Sequence, residues 1–254
     1  MKVALIGYGK MGREVEHVAA QRGHTISGKI DPEGIDMTQP LISAESLGSA
    51  DVGIEFTNPG AVLENLRLMA TLRTPVVVGT TGWYQQLPQV EELIRKSDIG
   101  LVYAPNFSLG VNLFYQIVAR AARLFQPFNE YDVSLCETHH RQKLDSPSGT
   151  AKNLIEVIRA NFLRKKRVVT DSSNRPIADD ELHVTSLRVG HVPGIHSVLF
   201  DSPADTIELK HTVRSRAGFA TGAVLAAEWI QGRKGLFTFE QVLKDLLSRQ
   251  DAEE

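Results

Sequence analysis

Cysteine is almost missing from this sequence: its 254 residues include one, Cys136. A single cysteine excludes an intramolecular disulfide framework and a multi-cysteine zinc site. Long apolar runs are missing too, and nothing approaches the roughly 18 residues of a membrane span. The N-terminal MKVALIGYGKMG is cut by glycines before it can serve as the apolar core of a secretory signal. Neither sign of charge dominates. With 28 Lys and Arg against 30 Asp and Glu, the net charge is -2, which gives no pull toward nucleic acid or an anionic membrane. Repeats and low-complexity segments are also absent. These absences predict a cytoplasmic protein with no nucleic-acid or membrane partner. What is present, 42% hydrophobic and 23% charged residues, suits a buried core in one large domain or two modest ones.

The first half alternates strands and helices. Val3 to Ile6 is a short apolar run, glycines follow, and a helical pattern covers Arg13 to Arg22. A second strand, His24 to Ile30, leads to Asp31. The rhythm recurs with strands at 52–56, 75–78 and 100–103 and helices at 61–72 and 91–96. The stretch from 31 to 50 is too short for a strong helix. This alternation predicts an α/β, Rossmann-like doubly wound parallel sheet. After residue 107 the pattern changes. Helices at 111–125 and 151–163 accompany strands at 132–136, 182–187, 196–200 and 206–213, the last three with no helix between them. That order predicts a second, α+β domain with a mixed or antiparallel sheet. Helices at 220–231 and 239–248 close the chain. The basic run Arg164 to Arg167 reads as a solvated helix end.

Gly7-Tyr8-Gly9-Lys10-Met11-Gly12 is a GxGxxG loop set between a strand and a helix, the context that makes the motif a dinucleotide site. The glycines permit a tight turn, close approach of a pyrophosphate and close helix packing, while free N–H groups at the helix start bind phosphate. Asp31 stands where an acid meets the adenosine ribose, which favours NADH and repels a 2′-phosphate. Lys10 and Lys29 can offset part of that repulsion, so NADPH is expected to be used as well. Phe56-Thr57, Gly79-Thr80-Thr81-Gly82 and Ala104-Pro105-Asn106-Phe107 end further strands. Ligands in open α/β sheets lie beyond such strand ends, and these loops offer groups for a nicotinamide carboxamide.

The stretch ETHHRQKLDSPSGTA, residues 137 to 151, gathers an acid, two histidines, a lysine and a helix entry. In an extended strand Glu137 and His139 share one face and His140 takes the other, so both histidines serve one site only if the strand breaks. Ser148 or Thr150 can cap the helix that follows, whose N–H groups and dipole favour a carboxylate. His139, His140 and Lys143 beside that anion pocket suit a small dicarboxylate that must gain a proton. A metal site, a phosphate site and a plain polar turn compete with this reading. The HExxH pattern is absent, HHxxK is no metal-ligand pattern, and the GK[ST] of a P-loop is missing.

The order E-x-H-H-x-x-x-K-x-D-x-P-S-G-T-A resembles the signature of the dihydrodipicolinate reductase family. GYGKMG, FTNPGAVLENL at 56–66, GTTG at 79–82, APNFSLGVN at 104–112 and SRAGFATGAVLAA at 215–227 carry the resemblance along the whole chain. It implies reduction of a cyclic unsaturated dicarboxylate by NAD(P)H on the way to diaminopimelate and lysine. It further implies that His139 is the catalytic acid/base and Lys143 the proton donor. His140, Ser148, Gly149 and Thr150 would hold substrate, and the loops at 79–81 and 104–107 the nicotinamide end. A homotetramer is implied, as is return of the C-terminal helices to the nucleotide domain. The expected domains are therefore 1–107 with 217–254, and 108–216. Arg216 falls near the substrate region by the same resemblance. Two features depart from the family pattern. The glycine loop is the shorter form, and Pro32 stands where an arginine can receive a 2′-phosphate. The competing functions are an amine or amino-acid dehydrogenase of the same architecture and a non-catalytic NAD sensor.

Overall fold

The computed structural model describes residues 1–33, 38–170 and 173–250. The chain divides into two compact units, Met1–Leu109 with Arg216–Glu254, and Gly110–Ser215. In the first, β1 (Lys2–Ile6), α1 (Lys10–Gln21) and β2 (Thr25–Ile30) form the opening βαβ unit. The four-residue α2 (Ala44–Leu47) then stands in for a full helix. It is followed by β3 (Val52–Glu55), α3 (Val62–Thr71), β4 (Val76–Val78), α4 (Leu87–Ser97) and β5 (Gly100–Tyr103). Residues 34–37, inside the stretch expected to be abbreviated, lie outside the described residues.

All five strand pairings of this sheet are parallel, in the order β11-β5-β4-β3-β1-β2, where β11 is the late strand Gly235–Thr238. The strands read as unbroken apolar runs because both sheet faces are covered. Val15, Val18 and Ala19 of α1 pack with Ala223 and Ala227 on Val3, Leu5, Val52 and Ile54. Leu66, Met69, Val90 and Ile94 close the other face over Ala4, Ile6, Val76 and Leu101. The strand order reverses between β1 and β3, which opens a crevice beyond their carboxyl ends.

The second unit starts within α5 (Leu109–Phe125) and continues through β6 (Asp132–His139), α6 (Gly149–Asn161) and β7 (Arg167–Val169). The strands β8 (Glu181–Arg188), β9 (Ile195–Asp201) and β10 (Thr206–Thr212) complete it. The sheet order is β10-β9-β6-β8-β7, with β6 parallel to β8 and antiparallel to β9, so the sheet is mixed. Phe114, Val118, Leu154 and Ile158 of α5 and α6 cover one face, over Val133, Leu135, Val184, Val198 and Phe200. The chain then returns to the first unit with α7 (Ala217–Trp229), β11 (Gly235–Thr238) and α8 (Phe239–Gln250).

Several local expectations are corrected. Strand β6 runs on to His139, where the alternation pointed to an end at Cys136. The polar Glu137 and His139 occupy core positions there: three donors satisfy one oxygen of Glu137, and its other oxygen lies against His139. Strands β7 and β11, three and four residues long, were not anticipated; each is too short to show a period. The basic run at 164–167 is solvated only in its second half, at Lys166 and Arg167. The Arg164 guanidinium donates to the carbonyls of Phe128 and Tyr131 and lies over the Phe162 ring. Lys165 is 2% exposed; its ammonium donates to the carbonyls of Asp179 and Glu181 at 3.1 and 2.8 Å and pairs with Asp132.

That buried ammonium yields a stability prediction. Lys165→Met keeps the aliphatic stem and removes a donor shared by two carbonyls and a carboxylate. Leaving such groups unmatched costs about 1–3 kcal/mol. The urea midpoint of the variant is expected to fall accordingly, and an unchanged midpoint would show that the ammonium contributes nothing net.

Candidate active site

The loop after β1 is built by close backbone approach. Gly7 has φ +88°, and a Cβ on it would meet the Phe56 carbonyl oxygen at 2.1 Å. A Cβ on Gly12 would lie 2.3 Å from the Gly7 carbonyl oxygen, whereas one on Gly9 would meet nothing within 4 Å. No side chain caps the start of α1 and no acid lies in its first turn. Its N–H groups and positive dipole end are thus left for an anion. A cavity of about 520 Å³ opens here. Gly9, Lys10 and Met11 form one wall, and Phe56, Thr57, Gly79, Thr80 and Thr81 the other. Arg216, at the start of the returning segment of the first unit, joins the lining.

The two facing loops are braced from below. The Thr57 amide donates to Thr80 Oγ1 at 2.7 Å, Trp83 Nε1 donates to the Thr80 carbonyl at 2.8 Å, and the Thr57 hydroxyl donates to Glu55. Glu55 is fully buried, and burial pushes its carboxyl above the usual range. Asp31 accepts the Tyr8 amide on Oδ2 at 2.7 Å, so the expected ribose acid is tied to the glycine loop. The Tyr8 side chain is buried and offers nothing to the cavity. In the 104–107 loop Pro105 is exposed, but the Phe107 ring lies in the core 4.9 Å from Phe239. The Asn106 Oδ1 accepts the Ser108 amide at 2.7 Å.

In the second unit the chemistry is organised by Glu137, which is fully buried at the end of β6. Its Oε1 accepts from the Ser148 amide at 3.0 Å, the Ser186 hydroxyl at 2.8 Å and the Arg188 guanidinium at 2.9 Å. Burial pushes this carboxyl up, yet those donors outweigh it and hold the group at about 2. Its Oε2 lies 2.8 Å from His139 Nδ1 and 3.7 Å from His196 Nε2. The short contact lacks hydrogen-bond alignment and acts as a charge contact. Burial lowers His139; Glu137 opposes this, while Lys143 and Arg188 reinforce it. Burial and the His139 charge bring His196 down to about 4. Both rings are therefore neutral near pH 7. A Cβ on Gly194 would come within 3.0 Å of His139 Nε2, so the glycine keeps that nitrogen open.

Lys143 pairs with Asp145 Oδ1 at 2.7 Å, and Asp145 Oδ2 accepts the Gly149 amide at 3.3 Å. One carboxylate thus bridges the lysine and the start of α6. Ser148 is the N-cap: its Oγ accepts the Ala151 amide at 3.2 Å and lies 3.2 Å from His196 Nε2. It faces inward, toward Glu137. Thr150 shares a hydrogen bond with Tyr115, whose phenol is pushed up by burial. His140 follows the strand end, half-buried, with Nδ1 unpaired. The structure thus gathers Glu137, His139, Lys143 and the start of α6. Reasoning from sequence passed over Arg188, Ser186, His196 and Gly194, which lie 49 to 59 residues from the motif's start at Glu137 and become neighbours through the pairing of β8 and β9 with β6. Among the described residues one group has metal-ligating atoms within 4.8 Å of one another: Glu137, His139 and His196. Arg188 already balances that carboxylate's charge.

Two family models match: "Dihydrodipicolinate reductase, N-terminus" over residues 1–107 and "Dihydrodipicolinate reductase, C-terminus" over residues 110–243. A protein of Christiangramia forsetii named 4-hydroxy-tetrahydrodipicolinate reductase is 40% identical over 97% of this chain and 99% of its own length. The dipicolinate-bound dihydrodipicolinate reductase of Paenisporosarcina sp. TG-14 superimposes with a TM-score of 0.74 at 26% identity, covering 95% of this chain and 98% of that one. An amine dehydrogenase of Mycobacterium smegmatis shares the fold alone, with a TM-score of 0.56 at 12% identity over 94% of this chain and 95% of that one. The chain belongs to the dihydrodipicolinate reductase family, whose members are NAD(P)H-dependent oxidoreductases.

The histidine cluster generates a pH prediction. His196 titrates at about 4 when folded, against 6.5 for an exposed histidine. Below 6.5 the unfolded chain takes up a proton that the folded site refuses, so stability falls with pH through this window. One proton corresponds to about 1.4 kcal/mol per pH unit. Glu137 extends the loss below 4.5, because its depressed value must be overcome before it protonates. In His196→Asn the slope of denaturation free energy between pH 6.5 and 4 is expected to drop by about one proton. An unaltered slope would show that His196 titrates normally.

Proposed function

We propose that the protein reduces 4-hydroxy-tetrahydrodipicolinate to tetrahydrodipicolinate in the route to diaminopimelate and lysine. The observation that carries the substrate reading is the carboxylate of Asp145 bridging Lys143 and the Gly149 amide. The same two groups are suited to a substrate carboxylate. Thr150 and His140 flank them, and the inward-facing Ser148 shapes the helix start instead of contacting substrate. Net reaction replaces the 4-hydroxyl with hydrogen: one hydride and one proton enter, and water leaves. A dihydronicotinamide supplies the hydride when bound. Lys143 donates the proton and His139, neutral at working pH, acts as the acid/base that relays it.

The cofactor reading rests on the 520 Å³ cavity. Gly9, Lys10 and Met11 hold the pyrophosphate, with Gly7, Tyr8 and Gly12 shaping the turn. Phe56, Thr57, Gly79, Thr80 and Thr81 hold the nicotinamide end, together with the exposed part of Ala104 to Phe107. Asp31 at the ribose end supports a preference for NADH with NADPH still used. A cytoplasmic homotetramer completes the reading. It is supported by the sheet face of the second unit that the helices leave bare, where Cys136, Thr138 and Leu199 are half-buried and Leu187 is 55% exposed. Among the described residues no helix is long and apolar enough to cross a membrane.

Coupled generation of the unstable substrate by its upstream synthase, with NADH oxidation followed optically, tests the assignment. His139→Gln and Lys143→Ala are each expected to lower turnover about 10²-fold or more, the range for a positioned proton-transfer group. NADH binding should hold steady in both, and near wild-type rates in the double variant would refute the roles. Thr150→Val is expected to raise the Michaelis constant for the dicarboxylate with cofactor affinity unchanged. Loss of cofactor binding in that variant would instead move the pocket elsewhere.

A further inference from the structure

Beside the ribose end of the cofactor cavity lies a set of charges that the reaction does not use. Lys29 Nζ sits 2.8 Å from Glu16 Oε1 and donates to the Tyr8 hydroxyl at 2.9 Å. The Tyr8 hydroxyl in turn donates to Glu16 Oε2, so both oxygens of Glu16 are engaged. The Lys29 ammonium lies 4.6 Å from the Tyr8 ring centroid, and the Arg13 guanidinium 4.9 Å from it. Tyr8 joins this cluster to the ribose acid directly, since its own amide donates to Asp31 Oδ2. Lys29 and Asp31 are two residues apart along one extended segment. They share a face at a separation of about 7 Å, within the reach of a lysine side chain.

We propose that Glu16 is a cofactor-specificity residue: by holding Lys29 in an ion pair that the Tyr8 hydroxyl braces, it withholds from a 2′-phosphate a cation two residues from Asp31. The charge of Lys29 does not offset Asp31, contrary to what its position in the sequence implies, because Glu16 already neutralises it. The chain therefore rejects the 2′-phosphate twice over, once by the acid at the strand end and once by sequestering its neighbour. The two side chains are 28% and 31% exposed, so the pair is partly screened and its effect is a bias rather than an absolute gate. This inference rests on the reading of the first unit as an NAD(P)H site.

Binding of NADPH and NADH, followed by fluorescence with no substrate present, tests it apart from turnover. Glu16→Gln keeps the hydrogen bonds possible and removes the charge. The ratio of NADPH to NADH affinity is expected to rise about fivefold, the size of a partly screened charge pair, and to fall back at high salt. Lys29→Met alone is expected to lower the ratio modestly, because it leaves the Glu16 carboxylate unpaired, and Glu16→Gln with Lys29→Met to return it to the wild-type value. An unchanged ratio in Glu16→Gln overturns the proposal. So does an equal rise in the double variant, which would mean that Glu16 acts by its own repulsion. A ratio in the double variant well below the wild-type value overturns it as well, by showing that Lys29 already reaches the phosphate. Failure of the wild-type protein to bind either cofactor would instead remove the nucleotide-site reading itself.

Discussion

The second unit depends on one buried carboxylate. Glu137 stands at a position of β6 that the strand period assigns to the core, with Val133 and Leu135 before it and His139 after it. An ionised carboxylate there is tolerated only if its oxygens are satisfied, and three donors converge on Oε1. Those donors come from three places: the start of α6, the neighbouring strand β8 and the arginine two residues farther along it. Satisfying Glu137 therefore fixes where α6 begins relative to the sheet, and with it the direction of the helix N–H groups. The same carboxylate leaves its other oxygen facing His139 and His196. One charge thus sets the helix entry and the electrostatics of the histidine beside it.

The nucleotide site follows the opposite design. Its glycine loop is shaped by backbone contacts, Gly7 against Phe56 and Gly12 against Gly7, with few ionised groups on the cavity wall. A pyrophosphate can be held by aligned N–H groups and a helix dipole, which stay oriented whatever the pH. Two charged side chains, Lys10 and Arg216, join that lining. Buried ionised groups work through mutual satisfaction, so they appear where a proton must be managed, and dipoles suffice where an anion must merely be held.

The fold and the segments that build both candidate sites were legible in the sequence for a physical reason: period and glycine placement are local. Val3 to Ile6, the GxGxxG loop and the helix after it lie within 22 residues, and each can be read without knowing what packs on it. The motif from Glu137 to Ala151 is equally local, and Ser148 caps as its position implied. What escaped was long-range. Arg188 reaches Glu137 because β8 pairs in parallel with β6, and His196 arrives opposite Glu137 through antiparallel pairing with β9. No spacing rule in a single sequence encodes that register. Lys165 misled for a related reason. A basic run looks solvated until the carbonyls that surround it are known, and those belong to Asp179 and Glu181, beyond the next strand. Lys29 looked like a free cation until Glu16, on the facing helix, was seen to hold it.

The environment of His139 also explains why the proposed chemistry calls for two residues. Burial and the nearby cations favour its neutral form, and the off-axis contact with Glu137 offsets them only in part. A neutral imidazole can accept or pass on a proton readily, but it is a poor store of one at neutral pH. The proposed chemistry therefore adds a second group, Lys143, which is paired with Asp145. The lysine's partner is half-exposed, so its grip is weak enough to be exchanged for another carboxylate, whereas Glu137 is locked by three donors and cannot be. Glu137 thus faces the histidine as a fixed acid, while Asp145 pairs with the lysine at a more exposed place. The difference follows from burial together with the number of donors each carboxylate meets.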